Sequence, residues 1–194
     1  MNKNYTFSLA LTLILTLSAC SSKPQEEKIN YVNNSEIKKQ GMGYIKTLIG
    51  GHLKPALMAS MKKDKTGVEG MSVCSTSATT MVESYNKTLP EGSSVRRTAL
   101  KYRNPNNKPD NVDTLVMMDL KNNKNFAPVV VEMPNHFRIY KALPTKKPCL
   151  NCHGDKSTMN TQVQVMINKH YPKDLATDFK ENQFRGVVVS EIKK

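Results

Sequence analysis

The chain has no phosphate-binding glycine loop and no Ser/His/Asp signature, so nucleotide-driven and serine-hydrolase chemistry find no support in it. No internal repeat and no low-complexity segment are present either, which argues against a solenoid or an extended scaffold. Acidic residues are scarce: 16 Asp and Glu stand against 29 Lys and Arg, for a formal net charge of +13. Cysteine is limited to four residues, Cys20, Cys74, Cys149 and Cys152. The only N-terminal apolar run, Phe7 to Ala19, is too short to cross a bilayer as a helix.

That run has a different use. Lys3 precedes it and Leu17-Ser18-Ala19-Cys20 ends it, the form of a secretory signal closed by a lipobox, in which the cysteine is acylated and becomes the new N-terminus. Residues 1–19 are therefore expected to be a lipoprotein signal, 20–34 a polar, flexible tether, and 35–194 one domain. The expected location is the periplasmic side of a cell envelope, lipid-anchored, with Ser21 compatible with sorting to an outer membrane. For such a protein a basic surface points to an anionic membrane surface, a cell-wall polymer or an acidic redox partner, or is simply evenly solvated charge; no nucleic acid is expected.

The strongest motif is Pro148-Cys149-Leu150-Asn151-Cys152-His153-Gly154. It reads as C-x-x-C-H, the attachment signal for a c-type haem: two thiols three positions apart add to the porphyrin vinyl groups, and the histidine supplies an axial imidazole. A zinc site would need a second C-x-x-C or a spaced histidine pair, which the sequence lacks. A thioredoxin-like redox pair would open a helix within a βαβ unit, whereas Lys146-Lys147-Pro148 precedes this one. A Cys149–Cys152 disulfide would close a very small, strained loop. With Cys20 lipidated and Cys149 and Cys152 on one haem, Cys74 is left alone, as a free reactive group, an intermolecular partner or a metal ligand.

Along the chain, Ile37, Ile45, Leu48, Ile49, Leu53, Leu57 and Met61 recur at helical spacing, with Gly50-Gly51 and Pro55 expected to weaken or kink the helix. Lys62 to Gly70 reads as a turn and Met71 to Tyr85 as a second helix, with Cys74, Ala78, Met81 and Tyr85 on one face. Val95 to Tyr102 reads as a strand, and the Arg103 to Asp110 stretch, with two prolines among asparagines, as an ordered loop. Val112 to Leu120 is short and ambiguous, with helix favoured over strand. Val129 to Met133 and Phe137 to Leu143 read as strands, Val163 to Lys169 as a helix and Gly186 to Ile192 as a last strand. Helices first and strands later suggest an α+β domain around an antiparallel sheet.

From about Gly41 to Val189 the chain resembles the bacterial periplasmic haem-binding domain family with a PAS-like fold, one covalent haem c and cysteine-histidine ligation. The residues that carry the likeness are Val73, Cys74 and Ala78; the run Arg96-Arg97-Thr98-Ala99-Leu100-Lys101-Tyr102-Arg103-Asn104-Pro105 with Asn107 and Pro109; Cys149 to Gly154; and Tyr171 to Thr177 with Arg185-Gly186. The family carries glycine where this chain has Asp178 and Asn182, two residue types that tolerate positive φ. The resemblance implies a PAS-like antiparallel sheet with N-terminal helices packed over it.

His153 is the proximal ligand on motif grounds alone. Chemistry leaves the opposite position open among His52, His136, His170, Cys74 and the methionines, with Met or His the common partners in electron carriers. The resemblance implies Cys74. Arg96, Arg97 and Arg103 are candidates to pair with haem propionates, for which a guanidinium fork is suited. A thiolate ligand would stabilise Fe(III) and lower the potential, and its loss on reduction would open a place for CO or NO. The expected role is a membrane-tethered monohaem redox or gas sensor, requiring a second protein for output. The alternative is a small electron-transfer cytochrome serving an acidic partner. A haem enzyme is disfavoured, since no paired distal acid-base residues are evident.

Overall fold

The structure, a computed structural model, describes residues 28–194. The expected signal, Cys20 and the first part of the expected tether lie outside the described residues. Four strands, β1 (Ser93–Thr98), β2 (Val129–Glu132), β3 (His136–Pro144) and β4 (Phe184–Lys193), form an antiparallel sheet in the order β1-β4-β3-β2. The two longest strands, β3 and β4, thus pair at its centre.

The outer edge of β2 does not stay open. Val32 N–H donates to the Val130 carbonyl at 3.0 Å, Glu132 N–H donates to the Asn30 carbonyl at 2.9 Å, and Tyr31 lies opposite Val131. This corrects the expected 20–34 tether, because from Asn30 the chain is already bound to the domain. The physical reason is the row of backbone groups on an edge strand, which need partners.

Both faces of the sheet are covered. Helix α1 (Ser35–Lys46) is capped by Asn34, whose side-chain oxygen accepts from Ile37 N–H at 3.1 Å. It continues through a π-helical segment, Thr47–Leu53, into α2 (Lys54–Lys63). The break expected at Gly50-Gly51 is therefore a local widening, and Pro55 sits in the first turn of α2, where a missing N–H is tolerated. Ile45 and Leu48 bury against Val95, Val130, Ile139, Val188 and Ile192. On the opposite face lies α5 (Asn111–Asn122), which places Val116, Met117 and Leu120 on Val131, Tyr140, Val187 and Val189. Successive β4 residues thus serve opposite cores, and burial on both sides explains why Val187-Val188-Val189 is a continuous apolar run. The α+β class is as expected. Helical cover on the second face comes from the one segment whose sequence was ambiguous.

Helix α1 meets β3 most closely at Gly41, where a Cβ would lie 2.6 Å from Ile139 Cδ1 and 3.0 Å from its Cβ. Gly41→Ala is expected to lower the unfolding free energy by about 1–3 kcal/mol through overpacking. Gly43, two residues on, is exposed with nothing within 4 Å, so Gly43→Ala should instead gain up to about 1 kcal/mol of helix propensity. Urea unfolding midpoints of the two variants check the opposite signs.

The remaining helices build a third cluster beside the sheet. The turn expected over Lys62–Gly70 is shorter than the sequence suggested: α2 runs to Lys63, and Gly67, at φ 95°, starts α3 (Val68–Ser72). A second π-helical segment (Val73–Ser77) leads into α4 (Ala78–Asn86). Met71 packs there against Met159, Tyr171, and Val163 and Ile167 of α7 (Thr161–His170).

Candidate functional site

Strand β3 delivers the chain to the cysteine motif through Thr145, which is buried. Its N–H donates to the Gln183 carbonyl at 2.8 Å and its hydroxyl to the Lys180 carbonyl at 2.7 Å. A 3-10 turn (Lys147–Cys149) then runs into a single helical turn, α6 (Leu150–His153). Residues three apart on such a turn share a side, which suits Cys149 and Cys152 to one planar partner. Gly154 closes the turn, its N–H donating to the Leu150 carbonyl at 2.8 Å. A Cβ at Gly154 would lie 2.6 Å from that same oxygen, so no larger residue fits without movement.

His153 is held in one tautomer. Its Nδ1 is 2.7 Å from the Ala176 carbonyl, an acceptor only, so Nδ1 carries the proton and the Nε2 lone pair is left for another partner. Burial, with Arg185 and Arg103 nearby, holds its pKa well below the ordinary histidine value against the Ala176 hydrogen bond. The ring is thus neutral, as a metal ligand must be. Phe179 meets it edge-on, with centroids 6.3 Å apart at 88°.

A cavity of ≈ 200 Å³ opens beside this turn, and Cys74, Arg97, Arg103, Cys152, His153 and Arg185 all face it. Cys74 reaches it from the second π-helical segment, whose carbonyl at Cys74 accepts from the Tyr171 hydroxyl at 3.4 Å. Burial pushes the Cys74 thiol up, while Arg97, Arg103 and Arg185 pull it down. Cys152 is pushed up to about 11, again chiefly by burial. Cys74, Cys149 and Cys152 are all free thiols. Cys149 does not line the cavity, and its sulfur accepts from Lys146 N–H at 3.4 Å. His52, His136 and His170 lie elsewhere. Among the described residues, no three His, Cys, Asp or Glu side chains are grouped to hold a metal ion.

The arginines divide. Arg96 and Arg97 are neighbours on β1 and so face opposite sides of the sheet. Arg96 is committed to Asp113, 2.6 Å from Nη1, and to Glu191 at 3.1 Å. This corrects its expected place at the propionates, since its fork is filled on the α5 side. Arg103 is likewise engaged: it is buried, pairs with Asp174 at 3.1 Å through both Nε and Nη2, and donates to the Cys152 and Ala176 carbonyls at 2.6 and 3.2 Å. The expected propionate contact gives way to a positioning role, tying the motif turn to the loop that fixes His153. Arg97 alone of the three faces the cavity with no ion pair among the described residues.

Arg185 was given no role from sequence, although Arg185-Gly186 belongs to the shared motif. It faces the same cavity, and burial, then Arg103, lowers it to about 10. Its guanidinium lies 5.2 Å from the Phe179 ring. The cavity therefore carries two guanidinium groups, Arg97 and Arg185, that form no ion pair among the described residues. The turn beyond it keeps the geometry foreseen for glycine: Asp178 and Asn182 have φ of 64° and 63°.

Residues 18–192 match the Tll0287-like family model, described as Tll0287. Among solved structures, the crystal structure of the cyanobacterial heme-protein Tll0287 is similar at a TM-score of 0.63 and 23% sequence identity, covering 84% of this chain and 98% of that one. No curated protein matches the chain. With the family model spanning nearly the whole sequence, the chain belongs to the Tll0287-like family.

Proposed function

We propose that the chain is a monohaem c-type protein, lipid-anchored through Cys20 at the periplasmic side of the cell envelope, that senses redox state or a small gas such as CO or NO. The observation that carries this reading is the meeting of Cys74 and His153, 79 positions apart in the numbering, on one cavity that also holds Arg97 and Arg185, neither in an ion pair among the described residues. The residues suit the group. His153 is neutral with Nε2 free, Cys149 and Cys152 are free thiols available for two thioether bonds, and these two guanidinium groups match the two propionates of haem. The similarity to a solved heme-protein agrees with it.

Haem, when bound, supplies one-electron chemistry and a coordination position for small ligands. The Ala176 carbonyl and Arg103 hold the His153 ring in its tautomer and orientation. Cys74, as thiolate, would favour the oxidised state of a bound haem, and the neighbouring Arg97, Arg103 and Arg185 would favour that ionised form against burial.

Covalent attachment is the first point to test. After acid and organic-solvent extraction, the colour of the wild-type holoprotein is expected to stay with the polypeptide, and Cys149→Ala/Cys152→Ala is expected to release it. Complete extraction of haem from the wild type would sink the c-type assignment.

A further inference from the structure

A second cleft, of ≈ 440 Å³, lies behind Phe179, between the C-terminal end of α5 and the turn that precedes β4. Phe126, Phe179 and Phe184 face it, and the Phe126 and Phe184 rings stack at 6.3 Å and 23°. Around these rings stand Lys101, Lys121, Lys124 and Arg185, with Asp178 as the one carboxylate in the lining. None of the four cations forms an ion pair among the described residues. Two of them crowd one ring: Lys101 Nζ is 4.9 Å and the Arg185 guanidinium 5.2 Å from the Phe179 centroid.

The backbone around the cleft is unusual in the same place. The described chain has three non-glycine residues at positive φ, Lys124 (50°), Asp178 (64°) and Asn182 (63°), and all three line this cleft. Lys124 follows the end of α5, where glycine or asparagine is the ordinary residue. A lysine there holds a cation at the rim in a conformation that costs it stability, and such residues gather at functional sites.

We propose that this cleft is a binding site for a small organic anion, a carboxylate on a flat apolar body. The aromatic rings accept the body, and the ammonium groups of Lys121 and Lys124 accept the carboxylate. Three aromatic rings facing one cleft together with four cations are what separate this site from general positive charge.

Isothermal titration of the full chain with benzoate, benzamide and acetate tests the assignment. Benzoate is expected to bind saturably at one site, benzamide and acetate at least roughly tenfold more weakly. Lys121→Glu/Lys124→Glu is expected to weaken benzoate roughly tenfold or more, and Lys121→Gln gives a smaller loss in the same direction should the double reversal fail to fold. Lys169→Glu, a charge reversal on α7 away from the cleft, should leave benzoate binding unchanged. Equal binding of benzamide, absence of saturable benzoate binding, or equal loss in Lys169→Glu would each overturn the proposal.

Discussion

Replacing Cys74 by alanine is expected to change the oxidised haem spectrum of the holoprotein outright, from a six-coordinate thiolate type to one with that ligand missing or exchanged, and to raise the reduction potential. The axial ligand and its charge are the main levers on potential, and they span roughly 0.8 V across haem proteins; loss of a thiolate should move it by on the order of 0.1 V or more. The fold should survive, because Cys74 is only partly buried and faces the cavity rather than one of the three cores. Optical and EPR spectra in both oxidation states make the measurement. An unchanged oxidised spectrum would remove Cys74 from the iron. A wild-type protein that stays six-coordinate when reduced and takes up no CO would favour the electron-transfer alternative over sensing.

The second large effect is expected on stability. Asp113 is 1% exposed and accepts from both Arg96 Nη groups at 2.6 and 2.9 Å, from Arg138 at 3.4 Å and from the Tyr140 hydroxyl at 2.9 Å. It also closes the capping box of α5 with Asp110. Asp113→Ala strands partly buried guanidinium groups beneath that helix and should cost about 3–5 kcal/mol. Asp113→Asn, which keeps the Tyr140 hydrogen bond but not the charge, should fall between. Urea midpoints check the loss. The haem spectrum of the folded fraction should be unaltered, which separates this network from the cavity on the other side of β1.

The same network makes the domain acid-sensitive. Burial alone would raise Asp110, but the Asp113 N–H and Arg138 outweigh it and hold its carboxyl below the ordinary value. A group depressed in the folded state stabilises above its unfolded pKa, near pH ~4, and loses that contribution as pH falls through the folded value. Urea midpoints should therefore fall below pH ~4 in wild type, and fall less in Asp110→Asn.

Much of the site was legible because its chemistry is local. Cys149, Cys152 and His153 lie within two short consecutive turns, so local geometry alone keeps two thiols and an imidazole together. The arginines were less legible, since Arg96 and Arg97 are adjacent in sequence and only alternation across a strand sends one to Asp113 and the other to the cavity. The engagement of Arg103 was not legible because its partner, Asp174, is 71 positions away and carries no motif of its own. Arg185 stood in a shared motif, but nothing local distinguishes a cavity arginine from a surface one. The ambiguous α5 segment resolved as a helix because Asp110 and Asp113 cap it and because the second sheet face needed cover.

By itself the sequence determined the α+β class, the strand and helix order, and the turn that presents two thiols and an imidazole, since all of these follow from local periodicity and spacing. Which arginines reach the cavity, that Asn30 to Val32 close a sheet edge, and that Cys74 and His153 line the same cavity were decided only by the tertiary structure. Those facts depend on contacts between residues far apart in the chain, and such contacts exist only once both faces of the sheet are covered and the third helical cluster is packed beside it.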